Sequence, residues 1–275
     1  LTVTGDVSVT GTLTGNASAI SMKSIDIASG GTYTATSGTT TITGVGGSDY
    51  PFKNHTSGNF VHSSGTVTFS SSAYKNFDAG GDPFYNFIST GTSEFRSQRA
   101  FTVANDFTIS SSGSGYFRPN GNAFTVTGDV AINSGGEIRC TDEADTFGSL
   151  TIASGGTYSA TSGTTTITSE TSDHAWKNEG GTFTHNKGLV KFDTPANTII
   201  QENTWYDVEM DADAATRAYE FRNLSSGGTI NILGNLTITE GEFELQAVSD
   251  DLVIHGLTNI TANGKFNNDA NQSSG

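Results

Sequence analysis

The sequence predicts an all-β protein, a right-handed parallel β-helix (β-solenoid) built from tandem repeat modules. Three observations lead to this prediction: a long internal repeat, short segments in which apolar and polar residues alternate, and glycines placed regularly between these segments. The alternative fold is a string of β-sandwich modules. The low proline content, 4 in 275 residues, favours the solenoid because proline removes a donor from a continuous strand ladder.

The internal repeat is clearest in two stretches that differ at a single position. IASGGTYTATSGTTTIT begins at Ile27, and IASGGTYSATSGTTTIT begins at Ile152. Further matches follow in the same order, such as GNFVHSSGTVTF from Gly58 and GTFTHNKGLVKF from Gly181. The matches recur after about 125 residues, and self-similarity at a fixed period is typical of repeat architectures.

The repeat divides the chain into three predicted parts. Residues 1–21 are the end of a preceding module, because LTVTGDVSV at Leu1 matches FTVTGDVAI at Phe124. Residues 22–146 form the first full solenoid module, and residues 147–275 form the second.

Alternation within the segments predicts short strands with one buried face. We expect equivalent aliphatic residues of the two modules to be buried and the residues next to them, such as Thr68 and Lys191, to point outward. The aliphatic pairs are Ile27 and Ile152, Val67 and Val190, and Ile109 and Ile238. DADAATRAYEF, residues 211–221, is the only helix candidate.

Composition excludes several classes of function. The net charge is −15, so the chain lacks the cations that would neutralise nucleic-acid phosphates. No apolar run approaches the roughly 18 residues of a membrane span, so membrane insertion is not expected. Cys140, the single cysteine, is interpreted as a buried small hydrophobe. Because the chain begins with Leu1 rather than methionine, we expect a fragment or processed product of a longer protein.

Two aromatic pairs are candidate glycan contacts: Phe84 with Tyr85, and Trp205 with Tyr206. Aromatic rings could stack on sugars, but the same pairs also suit the packed interior between solenoid turns. Core packing is the favoured interpretation of these four residues.

Candidate metal ligands are sparse. His62 and His185 recur at equivalent positions, but we find no His, Cys or Asp cluster with metal-binding spacing, and we expect both histidines to be stacked surface or turn residues. Glu240, Glu242 and Glu244 alternate along one strand face and are interpreted as an exposed charged stripe that protects a sheet edge. The alternative for this stripe is a weak Ca²⁺ site completed by Asp250 and Asp251. No other cofactor is expected.

Enzyme activity is not expected. Glycoside hydrolysis requires two carboxyl groups roughly 5–10 Å apart, and the candidates are Asp207, Glu209, Asp211 and Asp213. Their counterparts in the first module are not acidic, and no nucleophile, phosphate-binding or dinucleotide-binding motif is present.

Two segments carry a resemblance to known families. VTGTLTGNAS, which ends at Ser18, resembles the shafts of bacteriophage tail fibres. GTFTHNKGLVKF, followed by TIIQENTWYDVEM and NLTITEGEF, resembles repeats of large bacterial surface proteins and phage structural proteins. Together the resemblance covers nearly the whole chain, and it is more specific for architecture and an outward-facing setting than for a ligand.

The resemblance implies a structural repeat segment of an extracellular or virion fibre or appendage that displays or spaces a receptor-binding part. Such a segment would be a homo-oligomer, a trimer if it belongs to a tail fibre, or would pack against other subunits of the same appendage. Two alternatives are a glycan-binding adhesin module and a polysaccharide depolymerase spike.

Overall fold

The structure, a computed structural model, describes residues 1–47, 49–72, 75–111, 113, 115–224, 228–245 and 251–267. The regular structure in these ranges consists of 30 strands and contains no helix, as the alternation predicts. Within the same ranges, no helix has the length and apolar character needed to cross a membrane.

The strands are short, and most have three or four residues. The strands up to the middle of the chain are β1 (Thr2–Val9), β2 (Thr12–Thr14), β3 (Ile20–Ile27), β4 (Thr32–Thr34), β5 (Thr39–Ile42), β6 (Phe52–Asn54), β7 (Asn59–Val61), β8 (Thr66–Phe69), β9 (Lys75–Phe77), β10 (Asn86–Ser89), β11 (Glu94–Ser97), β12 (Phe101–Val103), β13 (Phe107–Ile109), β14 (Tyr116–Arg118), β15 (Phe124–Ile132) and β16 (Glu137–Arg139). The remaining strands are β17 (Asp145–Ile152), β18 (Thr157–Ser159), β19 (Thr164–Ile167), β20 (His174–Asn178), β21 (Thr182–Thr184), β22 (Leu189–Phe192), β23 (Thr198–Gln201), β24 (Thr204–Trp205), β25 (Asp207–Asp211), β26 (Ala218–Arg222), β27 (Thr229–Ile232), β28 (Leu236–Leu245), β29 (Asp251–Ile254) and β30 (Thr258–Asn267).

The strands coil into a three-sided parallel β-solenoid of about 11 turns. Each named strand pairs in parallel with the strand one turn away, for example β5 with β8 and β19 with β22. The long strands β3, β15, β17 and β28 bend at a register shift or kink and contribute to two sides. Because β-sandwiches are antiparallel, the alternative fold is wrong.

Alternation places one face of each strand in the interior. Val67 and Val190 are 2% and 3% exposed, while the neighbouring Thr68 and Lys191 lie half-buried on the outer face. Ile27, Ile152, Ile109 and Ile238 are also buried, so the predicted equivalent core positions are confirmed. The inward residues of successive turns stack into one continuous core.

The repeated Gly-Gly pair marks a tight corner. Gly30 and Gly155 have φ of 81° and 79°, in the left-handed region that favours glycine. A Cβ on Gly31 would lie 2.2 Å from the Val9 carbonyl oxygen, so the backbone of one turn closely approaches that of the next. The near-identical stretches therefore encode a corner shape that other residues would not permit.

Residues 211–221 do not form the helix that the sequence suggested. They comprise the end of β25, a turn and most of β26, in which Tyr219 and Phe221 point into the core and Glu220 points outward. Because β26 pairs with β23 and β28 on its two sides, the backbone donors of this segment are used by the ladder.

Equivalent strands of the two modules lie on different sides of the rod. The ladder of β5 and β8 continues through β10, β13 and the second half of β15 to the second half of β17 and then β20. The repeat counterparts of β5 and β8 are β19 and β22, which lie on another ladder with the first halves of β15 and β17. The second module therefore repeats the first after a rotation of about a third of a turn.

Candidate functional site

The four candidate glycan-contact aromatics divide into two buried and two half-exposed residues. Phe84 and Trp205 are both 0% exposed. The ring of Phe84 packs edge-on against Phe52, with 4.9 Å between centroids, and Trp205 packs against Trp176 at 5.0 Å. Since neither buried ring presents a face to solvent, Phe84 and Trp205 are core residues rather than glycan contacts.

Tyr85 and Tyr206 lie one residue further along and are half-exposed. Tyr85 stacks on His62 with ring centroids 5.3 Å apart and planes inclined by 30°. Tyr206 repeats this contact with His185 at 5.6 Å and 23°. The structure thus builds the same histidine–tyrosine stack twice on the outer surface.

Each histidine of these stacks closes a tight turn. The Nδ1 atom of His62 accepts a hydrogen bond of 3.0 Å from the backbone N–H of Ser64. His185 accepts an equivalent bond from Lys187, and burial, together with the Lys187 charge, lowers the pKa of His185. With Nδ1 used as an acceptor and the ring stacked, both histidines are turn residues, as predicted.

The two stacks face different directions. His62 lies between β7 and β8, whereas His185 lies between β21 and β22, which belong to different ladders because of the rotation between modules. An extended polymer lying straight along one side of the rod could therefore contact only one of them.

The acidic residues of β25 and the following turn make structural contacts. Lys191 forms ion pairs with Asp211 and with Glu209, the latter at 3.4 Å. Asp213 pairs with Arg217 at 2.9 Å. Asp207 accepts a hydrogen bond of 2.6 Å from the backbone N–H of Asn235. These carboxylates thus stabilise the outer surface and the junctions between turns.

The proposed Ca²⁺ ligands are spread over separate elements. Glu240, Glu242 and Glu244 lie half-buried along β28, and burial raises the pKa of Glu244 with a further contribution from Glu242. Asp251 begins β29, which belongs to a different sheet, and Asp250 lies outside the described residues.

One cluster was not expected from the sequence. Cys140, Glu143 and Asp145 bring Sγ and one carboxylate oxygen from each acid within 4.8 Å of one another. All three residues are buried, which confirms the interpretation of Cys140 as buried but corrects the expectation that no Cys/Asp cluster exists. The available signal was a difference between the modules, because the positions about 125 residues earlier hold Gly15, Ser18 and Ile20.

Comparisons with known proteins give no relative. No family model matches the chain, and neither a curated protein nor a solved structure matches it.

Proposed function

We propose that this chain is a structural repeat segment of an extracellular or virion fibre, or of a similar surface appendage, that spaces or displays a receptor-binding part. The observation that supports this role is the unbroken parallel ladder that begins in β1, crosses the module boundary inside β17 and reaches β30. The resemblance to tail-fibre shafts and bacterial surface repeats points the same way.

The architecture is suited to setting a length. Each turn adds about 4.8 Å to the rod, so about 11 turns give a length of roughly 50 Å. A solenoid turn contacts only its neighbours, so modules can be added without redesigning the remainder. Copy number would thus determine how far the appendage reaches.

The surfaces of the rod suit an appendage assembled from repeats or subunits. Its outer face is strongly acidic overall, and several cations are engaged by acids of neighbouring positions, such as Arg222 with Glu220. Leu257, just before β30, and Ile260 and Phe266 within it retain exposed surface, and Phe266 continues the aromatic stack on Phe243 at 5.1 Å. We propose self-association, as a trimer in the tail-fibre case, or packing against other subunits of the same appendage.

We propose a non-catalytic role. The acids considered for glycoside hydrolysis are held by Lys191, Arg217 and backbone donors, so they serve the surface of the rod.

The spacing role is tested by lengthening the chain. A second copy of residues 22–146 inserted after residue 146 restores the repeat register at both junctions. The rod should lengthen by between five and six turns, about 27 Å, at unchanged width, when the two purified proteins are compared by electron microscopy. A particle that widens, or that melts far below the original chain, would contradict the proposal.

A glycan-binding adhesin is the second candidate, and the two histidine–tyrosine stacks favour it. The test is binding of the purified chain to a glycan array, followed by the variants Tyr85→Ala and Tyr206→Ala. Specific binding that is lost in these variants, while the melting temperature is unchanged, would replace the spacer with an adhesin. Thr68→Ala, on an outer strand face, is the matched control.

A further inference from the structure

The cluster of Cys140, Glu143 and Asp145 lies at one corner of the solenoid, where β16 ends and β17 begins. Cys140 and Glu143 are each 6% exposed, and Asp145 is 1% exposed. Thr141 and Asp142, in the same corner, are exposed, so the cluster lies just below the surface.

Glu143 is oriented by its own loop. Its Oε2 atom accepts hydrogen bonds from the backbone N–H groups of Thr141 and Asp142, each at 3.0 Å, and from the Thr141 hydroxyl at 2.6 Å. These three donors fix the direction of the carboxylate. The other oxygen, Oε1, is buried without an N–H or O–H donor.

Asp145 also has a carboxylate oxygen that no N–H or O–H group reaches. Its Oδ2 atom accepts a long hydrogen bond of 3.5 Å from the Tyr158 hydroxyl, and its Oδ1 atom is buried without an N–H or O–H donor. The Cys140 thiol hydrogen-bonds the carboxyl groups of both Asp145 and Glu143, but it has a single proton to donate. At least one buried carboxylate oxygen therefore lacks a donor, which is costly and calls for a further partner.

Charge points to a cation as that partner. Cys140, Glu143 and Asp145 place three acidic groups together in one enclosed corner. With all three ionised they would repel one another, whereas a divalent ion bound between them would neutralise most of their charge.

We propose that Cys140, Glu143 and Asp145 form a binding site for a thiophilic divalent metal ion, with Zn²⁺ as the best fit. Sγ of Cys140, Oε1 of Glu143 and Oδ1 of Asp145 supply three ligands, and water completes the coordination. Binding displaces the thiol proton, and the ion links the corner loop to the first residue of β17.

The ligand set selects the type of metal. Thiolate binds Zn²⁺ well, while Ca²⁺ and Mg²⁺ prefer sites made entirely of oxygen. Zinc–sulfur and zinc–oxygen bonds of about 2.0–2.3 Å separate neighbouring ligands by roughly 3.5 Å. Sγ of Cys140 and one carboxylate oxygen of each acid already lie within 4.8 Å of one another, so side-chain rotations are enough to reach that spacing.

An earlier copy of this corner, at the end of the preceding module, shows that the fold does not require the cluster. Gly15, Ser18 and Ile20 occupy the equivalent positions, and Ile20 is buried. An apolar residue therefore fills the place of Asp145 in a corner with the same strand arrangement. The polar cluster is an added feature of the later copy, at the end of residues 22–146.

Cobalt provides a direct probe, because Co²⁺ bound to a thiolate gives a charge-transfer absorption band. The full chain is freed of metal with a chelator and titrated with Co²⁺, then with Zn²⁺ or Ca²⁺. We expect the band to saturate at one Co²⁺ per chain, to disappear on addition of Zn²⁺ and to persist in Ca²⁺. Zn²⁺ should also raise the melting temperature, and chelator should reverse that rise.

Variants assign the ligands. Cys140→Ser should abolish the charge-transfer band, and Asp145→Asn should weaken Co²⁺ binding by more than about 100-fold, beyond the 10–100-fold lost with a supporting residue. The matched control Asp142→Asn changes an exposed acid of the same corner and should leave binding intact. Circular dichroism checks that each variant is folded. If Asp145→Asn does not fold, the loss of the charge-transfer band in Cys140→Ser is the test of the site.

Two results would overturn the proposal. One is the absence of a charge-transfer band in the unmodified chain with excess Co²⁺. The other is tight binding that survives in the folded Cys140→Ser and Asp145→Asn variants.

Discussion

The same corner of the solenoid occurs twice with different contents. In the earlier copy, Tyr33 and Thr40 share a hydrogen bond of 3.0 Å beside a corner filled by Ile20. In the later copy, Tyr158 and Thr165 share a bond of the same length, 3.0 Å, but Asp145 stands in place of the isoleucine. The backbone and the buried tyrosine are thus retained while the chemistry of the corner changes.

The difference shows that residues in this corner change together. A Cβ on Gly15 would lie 2.6 Å from the backbone nitrogen of Thr36 and 2.9 Å from Cδ1 of Ile20, so both the next turn and the isoleucine exclude a side chain there. In the later copy, Cys140 is accommodated at the equivalent position beside Asp145. A polar cluster could therefore enter the corner without a change of fold.

Exchanging side chains between the two corners should give the largest changes in stability. Ile20→Asp places an unpaired carboxylate in an apolar corner, so it should destabilise the chain by about 3–5 kcal/mol in urea unfolding. In metal-free buffer, the double variant Cys140→Gly with Asp145→Ile should be neutral or stabilising by up to about 4 kcal/mol.

The single variant Asp145→Ile is the control for size. Because Cys140 stands where the earlier copy has Gly15, whose Cβ would lie 2.9 Å from the isoleucine, this variant should be overpacked and less stable than the double variant by about 1–3 kcal/mol. Equal stability of the single and double variants would show that the corners do not pack as described.

The core equivalence of the modules predicts paired effects of intermediate size. Val67→Ala and Val190→Ala should each cost about 2–3 kcal/mol, because each leaves a cavity between stacked turns. The outer-face variants Thr68→Ala and Lys191→Ala should each change stability by less than about 0.5 kcal/mol in the same thermal melts. Outer-face costs that match the valine costs would mean that the strand faces are assigned wrongly.

The smallest expected effect is a pH dependence of stability, which comes from a second polar difference between the modules. Asn178 is buried and donates to Glu202 at 2.6 Å, whereas its counterpart Asn54 donates to Asp82 at 2.9 Å. Burial raises the pKa of Glu202 despite the bonds from Asn178 and Asn203. The folded chain therefore binds a proton more tightly at Glu202 than the unfolded chain does.

The direction of the pH dependence follows from this tighter binding of a proton at Glu202 in the folded chain. The Glu202 contribution to stability should increase as pH falls from the raised pKa of the folded state towards the ordinary value of about 4.5, and it should level off below that. Glu202→Gln should remove this part of the pH dependence in chemical unfolding. Gln201→Ala, a neighbouring variant without a titrating group, should follow the original chain; identical pH profiles for Glu202→Gln and the original would disprove the assignment.

Much of the fold was predictable because it depends on local patterns. Alternation identified the strand faces, as at Val67 and Thr68, and Gly-Gly pairs recur at corners where turns approach closely, as at Gly31, Gly136 and Gly156. Alternation could also have separated the aromatic pairs: adjacent strand residues point to opposite faces, so Phe84 and Tyr85 could not both contact a sugar.

Other features depend on geometry that the sequence does not state. A spacing of about 125 residues does not give the number of strands per turn, so the rotation between the modules could not be foreseen. The cluster of Cys140, Glu143 and Asp145 depends on how one corner loop folds back on itself. Residues 211–221 looked helical because alanine and charged residues favour helices locally, but pairing with β23 and β28 decides their structure.

The central claim, one continuous ladder across both modules, can be tested with a single distance. Thr68 and Lys177 lie on the same side of the rod, and the strand register connects them through Ile88, Thr108, Ala131 and Thr151. Spin labels on Thr68→Cys and Lys177→Cys, in a Cys140→Ala background, report their separation by double electron–electron resonance. Five steps of about 4.8 Å predict a single distribution centred near 24 Å, whereas a distance beyond about 35 Å or two separate populations would contradict the continuous rod.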